Sequence, residues 1–416
     1  MNSIRISDIR IENNHRVIWS YEVEGEWTSC FTDLRESYAD YNVDLSSVPL
    51  SILAVPFICN ILPAVWLCDA VVSVGNIDKA FIEHVEMIKT GYINMYPMLS
   101  FKGSIEPKCV EDNSLSAGGH SGCLFSGGID AYTTFFRHYE ERPSLVTIWG
   151  ADIKLSDNTG WNNLLRQVQD TADRFGVGYH TVKSDFRRVL NENNLDRIVA
   201  LSNDKWWHGF QNSLAMISLT SPLAYVEKWQ TVYIASSFSK DAEGLFTGGS
   251  VPSIDNNMYF GGCKADHDGY ELNRQQKTAY IVEERKKRNQ DMYLRVCWES
   301  EGGHNCSHCE KCYRTILGLV AEGEDPNSYG FVWNSESVNR CRKDLMRRVN
   351  IYEYDYYPIQ NRMRENQNNI PGIDDYRWFI DVDISKINYT VIKRIRKSRL
   401  NSLIVRGMNR LKRVHL

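Results

Sequence analysis

The sequence lacks the features that mark several large classes of protein. Its 416 residues carry a net charge of only −4, so the chain as a whole is not an obvious binder of polyanions. No internal repeat with a period of about 20 to 50 residues is apparent, which argues against solenoids and propellers. The first residues, MNSIRISDIRIENN, contain no apolar segment of the kind found in signal peptides. We expect a folded, cytoplasmic protein.

Long hydrophobic runs are also scarce. The stretch 51–68, SILAVPFICNILPAVWLC, has 18 residues and no charge, which meets the minimal length of a membrane-spanning helix. Pro56, Asn60 and Pro63 interrupt it, and a proline inside a helix removes a backbone hydrogen bond. We therefore expect this run to form buried core in an N-terminal domain rather than a membrane span.

The eleven cysteines suit a reducing compartment and a metal site better than a disulfide framework, because four of them fall between positions 297 and 312. These four are separated by eight, two and two residues, and four thiolates so close together can complete a tetrahedral zinc site. An iron–sulfur cluster and unpaired thiols are the alternatives. His304 and His308 flank the site and are not expected to be ligands. The predicted Zn²⁺ ligands are Cys297, Cys306, Cys309 and Cys312.

The hydrophobic pattern divides the chain into three segments. Residues 1–115 open with two alternating runs, IRISDIRI and RVIWSYEVEGEW, which predict a β-hairpin in an α+β accessory domain. In 116–325, strand-like and helix-like runs alternate, which predicts a parallel, doubly wound α/β sheet with helices on both faces. Residues 326–416 are predicted to be a helical C-terminal region with a basic tail.

A glycine-containing junction lies at the start of this α/β segment. Residues 123–136, CLFSGGIDAYTTFF, place Ser126, Gly127, Gly128, Ile129 and Asp130 between a short apolar strand and a helix. Ligands of parallel sheets bind where a strand ends and the next helix begins. Glycines allow the backbone to approach a phosphate, Ser126 can donate a hydrogen bond, and Asp130 can hold the Mg²⁺ that accompanies a nucleotide. A strand-to-helix turn without a ligand is the alternative.

The pattern SGGxD after a strand resembles the phosphate loop of the PP-loop family, whose members split ATP between the α and β phosphates. The resemblance implies a Rossmann-like parallel sheet that binds ATP and Mg²⁺. Because no GKS or GKT follows the glycines, transfer of the γ-phosphate is not indicated. The family usually has serine after the aspartate, whereas this chain has Ala131, so one hydroxyl contact to pyrophosphate is absent.

The cysteine cluster indicates a particular branch of the PP-loop family. SGGxD together with Cys, eight residues, CxxCxxC and a following Arg314 is similar to the 7-cyano-7-deazaguanine synthase family over about residues 120–320. That family adenylates the carboxylate of 7-carboxy-7-deazaguanine and uses ammonia and ATP to make an amide and then a nitrile. The resemblance therefore implies an AMP-forming carbon–nitrogen ligase. Longer relatives are known from surface-polysaccharide gene clusters and antiviral defence systems, and this longer chain is similar to those.

Weaker candidates lie between the two motifs. Arg187 follows a predicted strand and is a candidate phosphate contact, with a surface arginine as the equal alternative. The polar loop 234–255 leaves the end of another predicted strand, and long polar loops are often functional. We select Ser236, Ser250 and Asp255 from it for recognition of the acceptor substrate, although turn and packing roles are as common.

Two further groups of residues have both a functional and a structural interpretation. Arg274 and Lys277 are three residues apart at the start of a helix-like run and share a face. Lys277 resembles the phosphate-contacting lysine of the family, which would stabilise charge on the α-phosphate, whereas a solvated helix face is the alternative. The neighbours Trp206, Trp207 and His208 suggest base stacking, but adjacent tryptophans are more often core.

The partners and the nitrogen donor are left open. No glutaminase signature is present, so free ammonia or a partner protein has to supply nitrogen to a small-molecule carboxylate. Residues 384–416 contain ten Lys and Arg and no Asp or Glu, which suits an anionic partner such as nucleic acid, lipid or protein. A tRNA-modifying or protein-modifying enzyme and a non-catalytic nucleotide-binding scaffold are therefore alternatives, and a homodimer is open.

Overall fold

The computed structural model describes residues 1–114, 118–297, 299 and 301–388. They form two compact units. The first contains residues 1–272 and Glu301–Gly303, and the second contains the described residues of 273–299 and 304–388. This division differs from the predicted segments 1–115, 116–325 and 326–416, because strands from the first two segments belong to one sheet.

The first unit is built on an eleven-stranded sheet. In chain order its strands are β1 (Asn2–Glu12), β2 (Arg16–Glu24), β3 (Glu36–Tyr41), β4 (Ala70–Asp78), β5 (Ser104–Glu111), β6 (His120–Leu124), β7 (Ser144–Trp149), β8 (Tyr179–Ser184), β9 (Trp229–Ala235), β10 (Tyr259–Phe260) and β11 (Cys263–Asp268). Across the sheet the order is β10-β11-β9-β6-β7-β8-β3-β2-β1-β4-β5.

Helices of the first unit pack on this sheet. The second unit is mostly helical. Those of the first unit are α1 (Leu50–Leu67), α2 (Lys79–Met95), α3 (Ile129–Arg137), α4 (Asn158–Phe175), α5 (Glu192–Ile198), α6 (Asn212–Ser218), α7 (Ser221–Glu227) and α8 (Pro252–Asp255), and a π-helical turn, Trp207–Gln211, precedes α6. Those of the second unit are α9 (Arg274–Arg288), α10 (Glu310–Ala321), α11 (Ser335–Arg347), α12 (Glu353–Glu365), α13 (Arg377–Asp381) and α14 (Ile384–Ile387).

Five neighbouring strands, β11, β9, β6, β7 and β8, are parallel and form the centre of the α/β fold. The chain moves outward from β6 through β7 to β8, then returns to the other side of β6 to form β9 and finally β11. The strand order therefore reverses beside β6. In open parallel sheets, ligands bind at the carboxyl ends of the strands at such a reversal. The largely parallel α/β sheet predicted from the sequence is confirmed.

The N-terminal strands continue the same sheet. β1 and β2 form the predicted antiparallel hairpin, with Glu12 opposite Arg16 at its turn. β3 pairs antiparallel with β2 and, on its other side, with β8, where Ala39 lies opposite Ser184. β4 and β5 then extend the sheet parallel to β1. The N-terminal residues thus share the sheet that carries the glycine loop.

The charge-free run predicted to be core forms helix α1. It is long and apolar enough to cross a membrane, but 89% of it is buried inside the fold, as expected for a core helix. Pro56 and Pro63 lie inside the helix rather than ending it. Its buried Asn60 donates to the carbonyl of Phe186 at 2.9 Å and accepts from Gln211 at 2.7 Å, so the polar side chain is satisfied.

The close contact between β6 and β9 predicts a sensitive position. A Cβ added at Gly122 in β6 would stand 2.5 Å from the buried ring of Trp229 in β9. We expect Gly122→Ala to lower the free energy of unfolding by about 1–3 kcal/mol, because the indole has to move within a packed core. Urea unfolding measures the change.

Gly75→Ala is the matched control, because no described atom lies within 4 Å of the added Cβ and the position is exposed in β4. If the two variants unfold at the same urea concentration, the tight packing of β6 against Trp229 is wrong.

Candidate phosphate loop and metal centre

The loop that follows β6 has the backbone geometry expected of an anion cradle. Ser126 is exposed, and Gly127 has φ of +76°, a conformation that residues with a Cβ rarely adopt. Gly128 occupies the N-cap of α3, and it gives that helix no side-chain cap. The backbone N–H groups of the first turn therefore lack a competing side-chain acceptor from the cap position, and they carry the positive end of the helix dipole.

Apolar contacts hold this loop in place from below. The backbone N–H of Phe125 donates to the carbonyl of Val146 in β7 at 2.7 Å. The ring of Phe125 is buried against Tyr132, with the centroids 4.9 Å apart, and Ile129 is fully buried. These contacts hold the loop against the core, and Ser126 is its exposed position, whereas Gly128 and Asp130 are partly buried.

The other end of α3 is fastened to β11. The buried carboxylate of Asp268 accepts hydrogen bonds from Thr134 Oγ1 at 2.9 Å, Arg137 Nε at 3.0 Å and His138 Nε2 at 3.1 Å. Burial alone would raise the pKa of Asp268, but the hydrogen bond from His138 and the charge of Arg137 lower it. The ionised carboxylate thus fixes α3, and with it the loop. No pattern in the sequence marks this role of Asp268.

Ser236 lies beside the phosphate loop in the sheet. It follows β9, the neighbour of β6, it is buried, and its N–H donates to the carbonyl of Asp268 at 2.9 Å. Ser250 and Asp255 bind each other, with Ser250 Oγ 2.8 Å from Asp255 Oδ2. Nδ1 of the buried His267 lies 2.7 Å from the same oxygen. These contacts are structural, and acceptor recognition by the three residues stays a prediction.

Arg187 has a full set of protein contacts. Its Nε and Nη2 donate to the two carboxylate oxygens of Glu192 at 2.9 and 3.0 Å, and Nη1 donates to the carbonyl of Ala151 at 3.1 Å. The guanidinium also lies 3.9 Å from the ring centroid of Trp207. Trp206 is fully buried, as core packing predicts, whereas Trp207 is half-buried beneath Arg187. A phosphate contact by Arg187 stays a prediction.

The four predicted zinc ligands converge in the second unit. All four sulfur atoms lie within 4.8 Å of one another. Two of the separations are 3.9 Å, between Cys297 and Cys309, and 3.8 Å, between Cys306 and Cys312. Tetrahedral Zn–S bonds of about 2.3 Å require sulfur atoms about 3.8 Å apart, so the cluster fits a metal ion such as zinc.

Backbone N–H groups donate to two sulfur atoms of the cluster. Cys309 is the N-cap of α10, and its sulfur accepts from the N–H of Cys312 at 3.4 Å, while Cys306 Sγ accepts from the N–H of Cys309 at 3.2 Å. The hydrogen bond from the Cys312 thiol, with further help from that N–H, lowers the pKa of Cys309 to about 5. A thiolate is the form that binds metal. The exposed His308 offers Nδ1 to the carbonyl of Cys306 and is not part of the cluster.

Asn305 fixes the backbone of the segment that carries the first ligand. Its Oδ1 accepts from the N–H groups of Val296 and Cys297 at 3.0 and 3.3 Å. Its Nδ2 donates to the carbonyls of Leu294 and Gly330. Sequence reasoning missed this residue, although an asparagine immediately before a CxxC ligand pair is a signal that could have been used.

The remaining predicted residues also lie in the second unit. Arg274 and Lys277 are in the first turn of α9; Arg274 is half-buried and Lys277 is only 2% exposed. Lys277 therefore does not lie on a solvated face of the helix, which was the alternative for this pair. Arg314 is buried in α10 and pairs with Asp355. Burial raises the pKa of Glu310, and the positive charges of Arg314 and Arg274 oppose that rise.

The cysteine cluster predicts a metal that supports the fold. We expect Cys309→Ser to lower the bound zinc and the melting temperature together, because a structural metal site contributes its binding free energy to folding. Zinc content is measured by atomic emission on the purified protein, and unfolding by calorimetry.

Cys109→Ser is the control, since Cys109 is exposed in β5 and outside the cluster. One equivalent of zinc retained by Cys309→Ser would refute the four-thiolate site.

No protein-family model matches this chain, and a search of curated proteins finds no similar sequence. The resemblance to the PP-loop family therefore depends on the motif residues, which the fold places at the carboxyl end of β6 and in one cluster of thiols.

Proposed function

We propose that the protein is an ATP-dependent, AMP-forming carbon–nitrogen ligase of the PP-loop type. The observation that carries the proposal is the Gly127–Gly128 turn, which leaves β6 where the strand order reverses and opens onto the N-terminus of α3. A polyphosphate fits this position because backbone N–H groups and the helix dipole both favour an anion. The absence of a GKS or GKT sequence favours cleavage at the α-phosphate over transfer of the γ-phosphate.

Each residue of the loop has a distinct role in this proposal. The N–H groups that follow Gly127 bind the departing pyrophosphate, and the exposed hydroxyl of Ser126 adds a donor. Asp130 lies in the first turn of α3 and is the carboxylate that holds Mg²⁺. When bound, Mg²⁺ neutralises charge on the phosphates. The α-phosphate role of Lys277 and Arg274 is carried over from the sequence prediction alone, and Arg187 is a further candidate.

The reaction has two steps. An oxygen of the acceptor carboxylate attacks the α-phosphorus of ATP, and pyrophosphate leaves with the electrons of the broken P–O bond. The nitrogen of ammonia or another amine then attacks the acyl carbon, and AMP leaves. The acceptor class proposed from the resemblance is a 7-deazaguanine-type carboxylate, bound near Ser236 at the carboxyl end of β9.

The metal centre has a structural role in the proposal. Four thiolates fill a tetrahedral zinc site and leave no position for a substrate or a water molecule. Zinc would hold the segment containing Cys297 against the N-terminus of α10, where Cys309 and Cys312 lie. The proposed basic-tail interactions involve residues 389–416, which lie outside the described part of the chain.

ATP–pyrophosphate exchange with 7-carboxy-7-deazaguanine tests the proposal. We expect the wild-type protein to exchange label between pyrophosphate and ATP. Asp130→Ala should reduce exchange and AMP release at least about 100-fold, because it removes the carboxylate that holds Mg²⁺ beside the departing pyrophosphate. The melting temperature should stay within a few degrees of the wild type.

Asp8→Ala is the control, since Asp8 is exposed on β1 and removed from the loop in sequence. Unchanged AMP formation by Asp130→Ala would remove the aspartate from the mechanism. A wild-type protein that binds ATP but exchanges no pyrophosphate would be a nucleotide-binding scaffold instead.

A further inference from the structure

His208, on the π-helical turn before α6, is paired with Asp204, which lies three residues before that turn. Nδ1 of His208 is 2.8 Å from Oδ1 of Asp204. The side chain of Asp204 is 8% exposed and that of His208 is 48% exposed, so a buried carboxylate orients a ring that solvent reaches. Because the carboxylate accepts a hydrogen bond from Nδ1–H, the neutral ring keeps its lone pair on Nε2. π-Helical turns interrupt the regular helix and occur often at functional sites.

Several donors fix the carboxylate of Asp204. Tyr96 Oη and Thr247 Oγ1 each donate to Oδ2 at 2.9 Å, and the N–H of Lys205 donates to Oδ1 at 2.7 Å. Burial alone would raise the pKa of Asp204, but the hydrogen bond and the charge of His208 lower it. The aspartate therefore stays ionised and holds the imidazole in one orientation, which is the function of the aspartate in Ser–His–Asp triads.

The charge environment of the imidazole is simple. The hydrogen bond to Asp204 raises the pKa of His208 above its ordinary value, although burial opposes this rise. Lys205, on the same segment, is paired with Asp196 at 2.9 Å. Tyr96, the C-cap residue of α2, contacts Asp204 through its hydroxyl. The loop after β9 contributes the Thr247 hydroxyl on Asp204 and the Phe238 ring, which is nearly perpendicular to the imidazole. The base strength of the ring thus comes from Asp204.

Three loops place this pair at the carboxyl edge of the parallel sheet. Trp207 lies beneath Arg187, three residues beyond the end of β8, and Arg187 donates to Ala151, two residues beyond the end of β7. The carbonyl of His208 accepts from the N–H of Gly249, in the loop that leaves β9, at 3.1 Å. Since β6 lies between β7 and β9, its phosphate loop is at this same edge.

Gly248 lies beside the imidazole of His208. A Cβ added at Gly248 would stand 3.6 Å from Cε1 of His208 and 4.0 Å from Nε2. Phe238 meets the ring edge to face, with the centroids 6.0 Å apart. Because position 248 has no side chain, the ring is not covered from this position, and about half of the imidazole side chain is exposed to solvent.

We propose that His208 is the general base that removes a proton from the amine in the second step of the ligase reaction. The inference rests on the proposed function. As the amine nitrogen forms its bond to the acyl carbon, its proton passes to Nε2 of His208, and the bond between acyl carbon and AMP oxygen breaks with its electrons going to AMP. Asp204 is a positioning residue, since it acts through His208.

The proposal predicts that a His208 variant keeps the first half-reaction, adenylation, and loses the second, amide formation. Adenylation needs no proton acceptor for an amine, so His208→Gln keeps ATP–pyrophosphate exchange with 7-carboxy-7-deazaguanine within about twofold of the wild type. Amide formation from the same acid, ATP and ammonium chloride falls about 100-fold, the usual contribution of a positioned base. In His208→Gln, the pH profile of amide formation loses the limb that reflects titration of the imidazole. Asp204→Asn shows a smaller loss, with the limb shifted to lower pH.

Two further measurements distinguish a base from a structural residue. Added imidazole restores part of the amide formation in His208→Ala, which a merely structural loss does not allow. His15→Gln, at the turn between β1 and β2, is the control and leaves both reactions unchanged. If calorimetry shows that one of the two variants, His208→Gln or His208→Ala, is unfolded, the rescue of amide formation by imidazole is measured in the variant that folds. Absence of rescue counts against the proposal.

The outcomes separate this proposal from the proposed function. Normal exchange together with normal amide formation in His208→Gln overturns the role of His208 and leaves the ligase intact. An equal loss of both reactions also overturns it, because the histidine would then act before the amine. No exchange by the wild-type protein refutes the proposed function, and the role of His208 falls with it.

Discussion

The position of β6 between β7 and β9 is the constraint on which the rest of the candidate site depends. Parallel pairing on both sides brings the carboxyl ends of three strands to one edge, and ligands of open parallel sheets bind where the strand order reverses in this way. The glycine turn after β6 is held at this edge because Phe125 and Ile129 are buried in the core. The apolar core and the proposed anion site are therefore two sides of the same segment.

Buried carboxylates hold the polar parts of this edge. Asp268 anchors the C-terminal end of α3 by accepting from three donors. Asp204 orients His208 directly and also accepts from Thr247. A buried carboxylate is costly unless it is hydrogen-bonded, so its partners are held at fixed positions. Such positions suit chemistry that depends on where a charge or a proton is placed. The proposed phosphate loop and the proposed base are stabilised by the same kind of interaction.

The metal centre follows a different rule. Its ligands are close in sequence, with CxxCxxC supplying three sulfur atoms around the N-terminus of α10. Only Cys297 comes from farther away, and Asn305 fixes its backbone. A site made from such a short segment is specified locally, because few chain conformations bring four thiols together. This is why the cysteine spacing predicted the cluster correctly, whereas no spacing in the sequence marked Asp268 or Asp204.

The sequence by itself determined the elements whose information is local. Alternating runs determined the β1–β2 hairpin, the alternation of strand and helix determined a parallel sheet, and glycine and cysteine spacing determined the loop and the thiol cluster. Tertiary structure alone decided that the N-terminal strands join this sheet through β3 and β8, and that His208 meets Asp204 at its carboxyl edge. Those outcomes depend on strand neighbours far apart in the chain, and pairing between distant segments is set by packing of the whole core rather than by any local pattern.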